Sequence, residues 1–222
     1  MLIQNPDFWV KIMLPALKAT LEMTVYSTII STVLGTLVAV LLLITNERGM
    51  FPNKIAYGVL SVIINVVRSF PFIILIIFII PLTRAIVGTT IGVKGAIVPL
   101  VVAATAFIAK IVENAMQEVD QELVEGMRSF GLTKTQVIFR VIFSEALPAV
   151  ISGIVLATIS ILGCTAMAGT VGAGGIGAVA LLYGYQSFRK DVMLVTVAVL
   201  VILAQIIQSL GNFIYKKMAK KK

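Results

Sequence analysis

The sequence predicts an all-α membrane protein: five transmembrane helices per subunit, with a two-helix cytoplasmic loop between the third and the fourth. Three observations carry this. Of 222 residues, 59% are hydrophobic and 13% charged, against roughly 25% charged in soluble domains. The apolar residues gather in runs long enough to cross a bilayer, which takes roughly 17 to 25 residues. One stretch, 113 to 145, is charged and amphipathic between apolar runs. It cannot sit in lipid and must be a structured loop at the membrane surface.

The spans follow in order. Residues 19 to 45 form the first, with Glu22 near its outer end. Residues 55 to 80 form the second, interrupted by Arg68 and Pro71. Residues 91 to 112 form the third, with Pro99 inside, and both prolines should kink their helices. Glu113 and Asn114 mark the cytoplasmic end of that third helix. Residues 146 to 188 carry no charge, a run too long for one helix and too short for two with a loop. Its Gly-rich middle, Gly169 to Gly177, suggests a fourth helix followed by a re-entrant or interfacial stretch. Residues 192 to 215 form the fifth. The first eighteen residues hold Asp7, Lys11 and Lys18, and the apolar run after them is too long for the core of a signal peptide. No cleavable leader is expected.

The formal net charge is +8. Lys216, Lys217, Lys220, Lys221 and Lys222 cluster at the C-terminus, and the other charges flank apolar spans, which points to a membrane and away from nucleic acid. The lysine cluster places the C-terminus in the cytoplasm. Arg48, Lys54, Lys110, Arg128, Lys134 and Arg140 fall on the same side; Lys11, Lys18, Arg84, Lys94, Arg189 and Lys190 fall outside. Five spans then leave the N-terminus outside.

There are no histidines and one cysteine. Histidine-dependent metal sites, triads and proton relays are excluded, as is an intrachain disulfide. Cys164, inside an apolar span, reads as a small hydrophobe. Gly172 to Gly177 satisfies G-x-G-x-x-G, with Asp191 downstream. A dinucleotide site needs a preceding strand and a βαβ unit, and these glycines lie in a membrane span. They read as close packing or a hinge. No G-x-x-x-x-G-K-[ST] loop occurs, so the chain shows no ATPase site of its own, no catalytic residues and no metal site.

Within the loop, Leu123, Met127 and Phe130 fall at i, i+4 and i+7, one face of a short helix. Glu122, Glu125 and Ser129 lie away from that stripe. Gly131 follows as a left-handed C′ residue. Thr133 and Gln136 have the spacing of a capping box for a second helix, whose apolar face is Val137, Ile138, Val141 and Ile142. Pro148 suits the first turn of the next helix. The pattern is helix, Gly turn, helix, shaped to dock on something.

Glu125, Gly131 six residues on, and a helical run ending at Leu147-Pro148 resemble the coupling loop of bacterial ABC-importer permeases. Gly126 and Met127 stand where that family usually has two alanines, and Phe143-Ser144 where it usually has Leu-Pro. Further stretches are similar to the methionine-importer permeases: Arg68-Ser69-Phe70-Pro71-Phe72-Ile73-Ile74-Leu75, Pro81 to Thr89, Ala96 to Leu100, Val112 to Ala115, and Ala166 to Gly177.

The resemblance implies a type I ABC-importer permease fold in a single domain, 1–222, with the coupling loop at about 116–146. It implies a homodimer, two ATP-binding subunits that hold ATP and Mg, and an extracytoplasmic methionine-binding lipoprotein, in a bacterial plasma membrane. The coupling residues it implies are Glu122, Glu125, Gly126, Met127, Gly131 and Leu132. The substrate it implies is methionine, of either hand, with another polar amino acid such as cystine as the alternative.

Two residues remain open between roles. Arg68 lines a pathway, pairs with Glu113, or snorkels to the cytoplasmic surface. Met167 is core packing, or closes the pathway, as the matching family position does. A stand-alone secondary transporter calls for inverted repeats and midplane ionisable groups. No repeat is present, and a structural scaffold needs no capped two-helix loop.

Overall fold

The computed structural model describes residues 5–47 and 49–219, and every regular element among them is helical. Arg48 and Lys220 to Lys222, which the charge pattern places in the cytoplasm, lie outside the described residues.

Helix α1 runs Pro6–Thr45, beginning well before residue 19. Asn5 caps it, its side chain accepting from the Asp7 N–H, with Pro6 in the first turn. The early start has a cause in the packing. Phe8, Met13 and Ala16 are buried against Ile176, Val179 and Val192, while Asp7 and Lys11 pair at 3.0 Å on the exposed side. At 40 residues the helix is ~60 Å long, far more than the ~30 Å hydrocarbon core requires.

The second crossing is broken. Helix α2, Lys54–Ser69, and helix α3, Phe72–Phe78, meet at 109°. Pro71 bars the helical conformation to its predecessor, and Phe70 is extended at φ −71°, ψ 127°. The expected kink is therefore a corner. α2 alone covers ~24 Å. Helix α4, Ile80–Val87, ends on left-handed Gly88.

Helix α5, Gly92–Gln117, carries the third span past residue 112 with Pro99 inside it. Helix α6, Gln121–Ser129, is the first helix of the loop. Its second helix is not separate: it is the start of α7, Lys134–Thr170. Pro148 accordingly lies inside a helix and not in a first turn. A run of wide π-type turns at Val137–Ile142 precedes it, and a membrane helix in a bundle tolerates the one lost backbone bond. A tight turn at 171–174 leads to helix α8, residues 175–186, and α9 closes the chain at Lys190–Ala219.

α1, α5 and α7 form the core. Ala39, Ile108, Val112, Val150 and Ala157 are buried together, and Gly35 lets α1 approach Ile108 of α5 closely, as small residues do between membrane helices. α9 packs on α7 through Gly211, which faces Val155. Near its start α9 also packs on α1 and α8 through Val192, while its outer face, including Leu194, Val201, Ile206 and Phe213, is exposed and apolar, as a lipid-facing surface is.

Candidate functional site

The loop between α5 and the membrane part of α7 is built from caps. Asp120 opens α6 by accepting from the Glu122 N–H at 2.8 Å. Gly131, at φ 86°, closes it. The Gly131 N–H reaches the Arg128 carbonyl at 3.0 Å and the Leu132 N–H reaches that of Met127 at 3.4 Å, the paired bonds of a Schellman motif. The capping box is present: Thr133 N–H donates to Gln136 Oε1 at 2.9 Å and Gln136 N–H to Thr133 Oγ1 at 3.4 Å. Val137, Ile138, Val141 and Ile142 are all buried, as expected.

The face that α6 turns to the bundle is not the apolar stripe of Leu123, Met127 and Phe130. Val124 is its buried residue and joins Met50, Met116 and Ile138. Leu123 and Phe130 point outward, 38% and 84% exposed, and Met127 is half-buried. One anchor suffices to hold so short a helix. The apolar stripe at Leu123 and Phe130 is left over, beside the exposed Glu122 and Glu125.

A second tie holds the loop. Lys134 Nζ donates to the Met50 carbonyl at 2.8 Å and lies 4.6 Å above the Phe51 ring. Nothing in the sequence marks this pair, 84 residues apart. Between α6 and the C-terminal ends of α1 and α5 is a cleft of about 640 Å³, reached by Glu125, Arg128, Asn46 and Met116.

Glu113 is fully buried. It accepts from Tyr57 Oη at 3.0 Å, Lys110 Nζ at 2.9 Å and Gln117 Nε2 at 3.0 Å. Its carboxylate is thus occupied, and the pairing with Arg68 does not form. Arg68 sits in the last turn of α2, ~21 Å along the helix axis from Lys54. It lines a cavity of about 280 Å³ with Phe70, Phe72, Phe107, Ser160 and Cys164. Cys164 also packs beside the cluster of Met23, Leu100 and Ile161.

The Gly-rich stretch is a packed turn. Gly172, Gly174 and Gly175 are left-handed. The Gly92 N–H donates to the Gly172 carbonyl at 2.9 Å, and the Ile176 N–H donates to Thr20 Oγ1 at 2.9 Å. Gly169 abuts the backbone of Ala178, and Gly177 that of Ala166, so α8 lies against α7. Met167, in the last turn of α7, is 50% exposed and lies outside the subunit core. Among the described residues no group of three His, Cys, Asp or Glu side chains could hold a metal ion.

The family model for the binding-protein-dependent transport system inner membrane component matches residues 31–221. The chain belongs to this family. This permease, then, is a multi-pass inner-membrane transport component and not an enzyme. It is 37% identical to the probable D-methionine transport system permease protein MetI of Pasteurella multocida, over 96% of this chain and 98% of that one. It is 41% identical to the corresponding Vibrio cholerae protein, over 81% and 80%. Against the methionine import system permease protein MetP of Bacillus subtilis the identity is 39%, over 78% of each chain. A structure showing inward-facing conformations of the MetNI methionine ABC transporter superposes at a TM-score of 0.92 with 40% identity, covering 97% of this chain and 99% of that one. The permease thus has the type I ABC-importer fold.

Proposed function

We propose that this permease imports methionine as a homodimer. Two ATP-binding subunits drive it and an extracytoplasmic lipoprotein delivers the substrate. Five crossings are few for a pathway, and two copies around an axis supply ten. ATP and Mg belong to the partner subunits. The chain is one domain, 1–222, with the N-terminus outside and the C-terminus in the cytoplasm.

The observation that carries the reading is the outward apolar face of α6. Leu123 and Phe130, rimmed by Glu122 and Glu125, form a small hydrophobic patch on a capped, doubly anchored loop. Such a patch marks a protein contact. Gly126, Met127, Gly131 and Leu132 give the helix its turn and its exit. ATP binding draws the ATPase subunits together, the grooves carry α6 inward, and the pathway switches between inward- and outward-facing states. Met167, half exposed at the outer end of α7, faces its copy across the axis and seals the pathway by apolar contact. The methionine assignment is supported by the MetI and MetP relatives.

The test is uptake of labelled methionine in a strain lacking its own importer, with the cognate ATPase and binding protein supplied. Accumulation of only a basic or acidic amino acid overturns the substrate and leaves the ABC-permease class intact. Reporter fusions after Lys18 and after Lys222 test the orientation; a cytoplasmic signal from both ends defeats it.

A further inference from the structure

We propose that the cavity at the broken second crossing is a transient amino-acid site within the permease itself, with Arg68 binding the substrate carboxylate. The inference rests on the import of an amino acid proposed above.

Three features meet there. The first is charge. Arg68 is exposed on the single subunit and interrupts an apolar run of spanning length; at a bilayer centre an arginine costs about 2.5 to 3.5 kcal/mol on insertion scales. No acid lines the cavity, and among the described residues no ion pair engages Arg68. Glu113, the partner that the sequence offered for it, is held by Tyr57, Lys110 and Gln117. A guanidinium on the wall of a cavity that no acid lines is ready for a planar anion, and a carboxylate fits its two-pronged donor set.

The second is the helix break. α2 stops at Ser69 because Pro71 forbids its continuation. The Phe70 N–H takes the Val67 carbonyl at 3.3 Å; the other carbonyls of the last turn have no partner within the helix and carry the negative end of its dipole. They stand beside Arg68 as acceptors for an ammonium group. A discontinuous helix near the midplane is the usual frame for a substrate site in transporters.

The third is size and lining. At about 280 Å³ the cavity is just under the roughly 300 to 1,000 Å³ of small-molecule pockets, so it suits a single amino acid and not a peptide. Phe70, Phe72, Phe107 and Leu100 give it an apolar wall, to which sulfur and methylene groups pack well. Carboxylate donor, ammonium acceptors and apolar wall together describe a zwitterion with an uncharged side chain.

The experiment is equilibrium binding of radiolabelled methionine to the purified permease–ATPase complex, without binding protein. Wild type should retain methionine, and Arg68→Gln should weaken retention by at least about tenfold, with Arg68→Lys in between. Methionine amide and the decarboxylated amine should compete poorly on wild type, an arm that needs no variant. Co-purification with the ATPase checks assembly. No retention by wild type, equal retention by Arg68→Gln, or full competition by the amide overturns the site. Uptake by the complete wild-type system is measured in parallel. If uptake succeeds while retention fails, the Arg68 site is wrong and the import function stands. If uptake fails, the import reading is wrong.

Discussion

The Tyr57 hydroxyl donates to Glu113 Oε1 at 3.0 Å, tying the broken second crossing to α5 near the loop that holds α6. Lys110 and Gln117 complete the carboxylate's shell at 2.9 and 3.0 Å. Removing one partner from a buried ion pair strands the other. Glu113→Ala should cost about 3 to 5 kcal/mol of stability, and Tyr57→Phe, which deletes one bond to a charged acceptor, about 1.5 to 3 kcal/mol. Thermal unfolding of the purified protein in detergent ranks them. Equal losses would show that Glu113 is not the centre of the cluster.

Gly131 is left-handed at φ 86°, and a Cβ there meets no atom within 4 Å. Any cost of substitution is therefore backbone strain and not a clash. Gly131→Asn should be tolerated and Gly131→Val should not, with about 1 to 2 kcal/mol between them. Gly131→Val should insert and dimerise normally but lose ATP-dependent uptake. Glu125→Lys, reversing charge on the same exposed helix, should do likewise. Full uptake by both variants removes the loop from the coupling step.

Leu123 and Phe130 point away from the bundle while Val124 points into it. Leu123→Asp and Phe130→Asp should change permease stability by no more than about 0.5 kcal/mol, as surface substitutions do, yet abolish co-purification with the ATPase. Val124→Asp should unfold the loop. Retention of the ATPase by the double Leu123→Asp, Phe130→Asp variant defeats the docking face.

Gly177 and Gly163 make a matched pair. A Cβ on Gly177 runs into the Ala166 backbone, whereas one on Gly163 meets nothing. Gly177→Ala should cost about 1 to 3 kcal/mol through overpacking. Gly163→Ala, in a helix interior, should be neutral or gain up to about 1 kcal/mol. Melting curves of the two variants check the sign at each position.

Met167→Ala should raise ATP-independent leak of substrate without affecting ATPase binding. In a Cys164→Ala background, Met167→Cys should react with an impermeant thiol reagent from outside only in the nucleotide state that opens outward. Equal labelling in every state, or none in any, returns Met167 to a packing role.

The sequence by itself settled the class. Apolar runs of spanning length, the sparse charges and the capped loop follow from local rules that hold wherever the chain goes. Thr133 with Gln136 and left-handed Gly131 were legible because a cap involves only residues three or four apart. What needed the tertiary structure was which side of each element faces the core. Leu123, Met127 and Phe130 were legible as one face of α6, but Val124 as its anchor to the bundle was not, since a nine-residue helix docks by whichever residue the neighbouring helices can reach. The corner at Phe70-Pro71 has a local cause in Pro71, but the early start of α1, where Phe8, Met13 and Ala16 pack on Ile176, Val179 and Val192, and the continuity of α7 through Pro148 needed the packed bundle to be seen. Glu113 meets Tyr57 across 56 residues of chain, and Lys134 meets Met50 across 84. Such pairs carry no periodic signal; only the folded bundle brings them within hydrogen-bond reach.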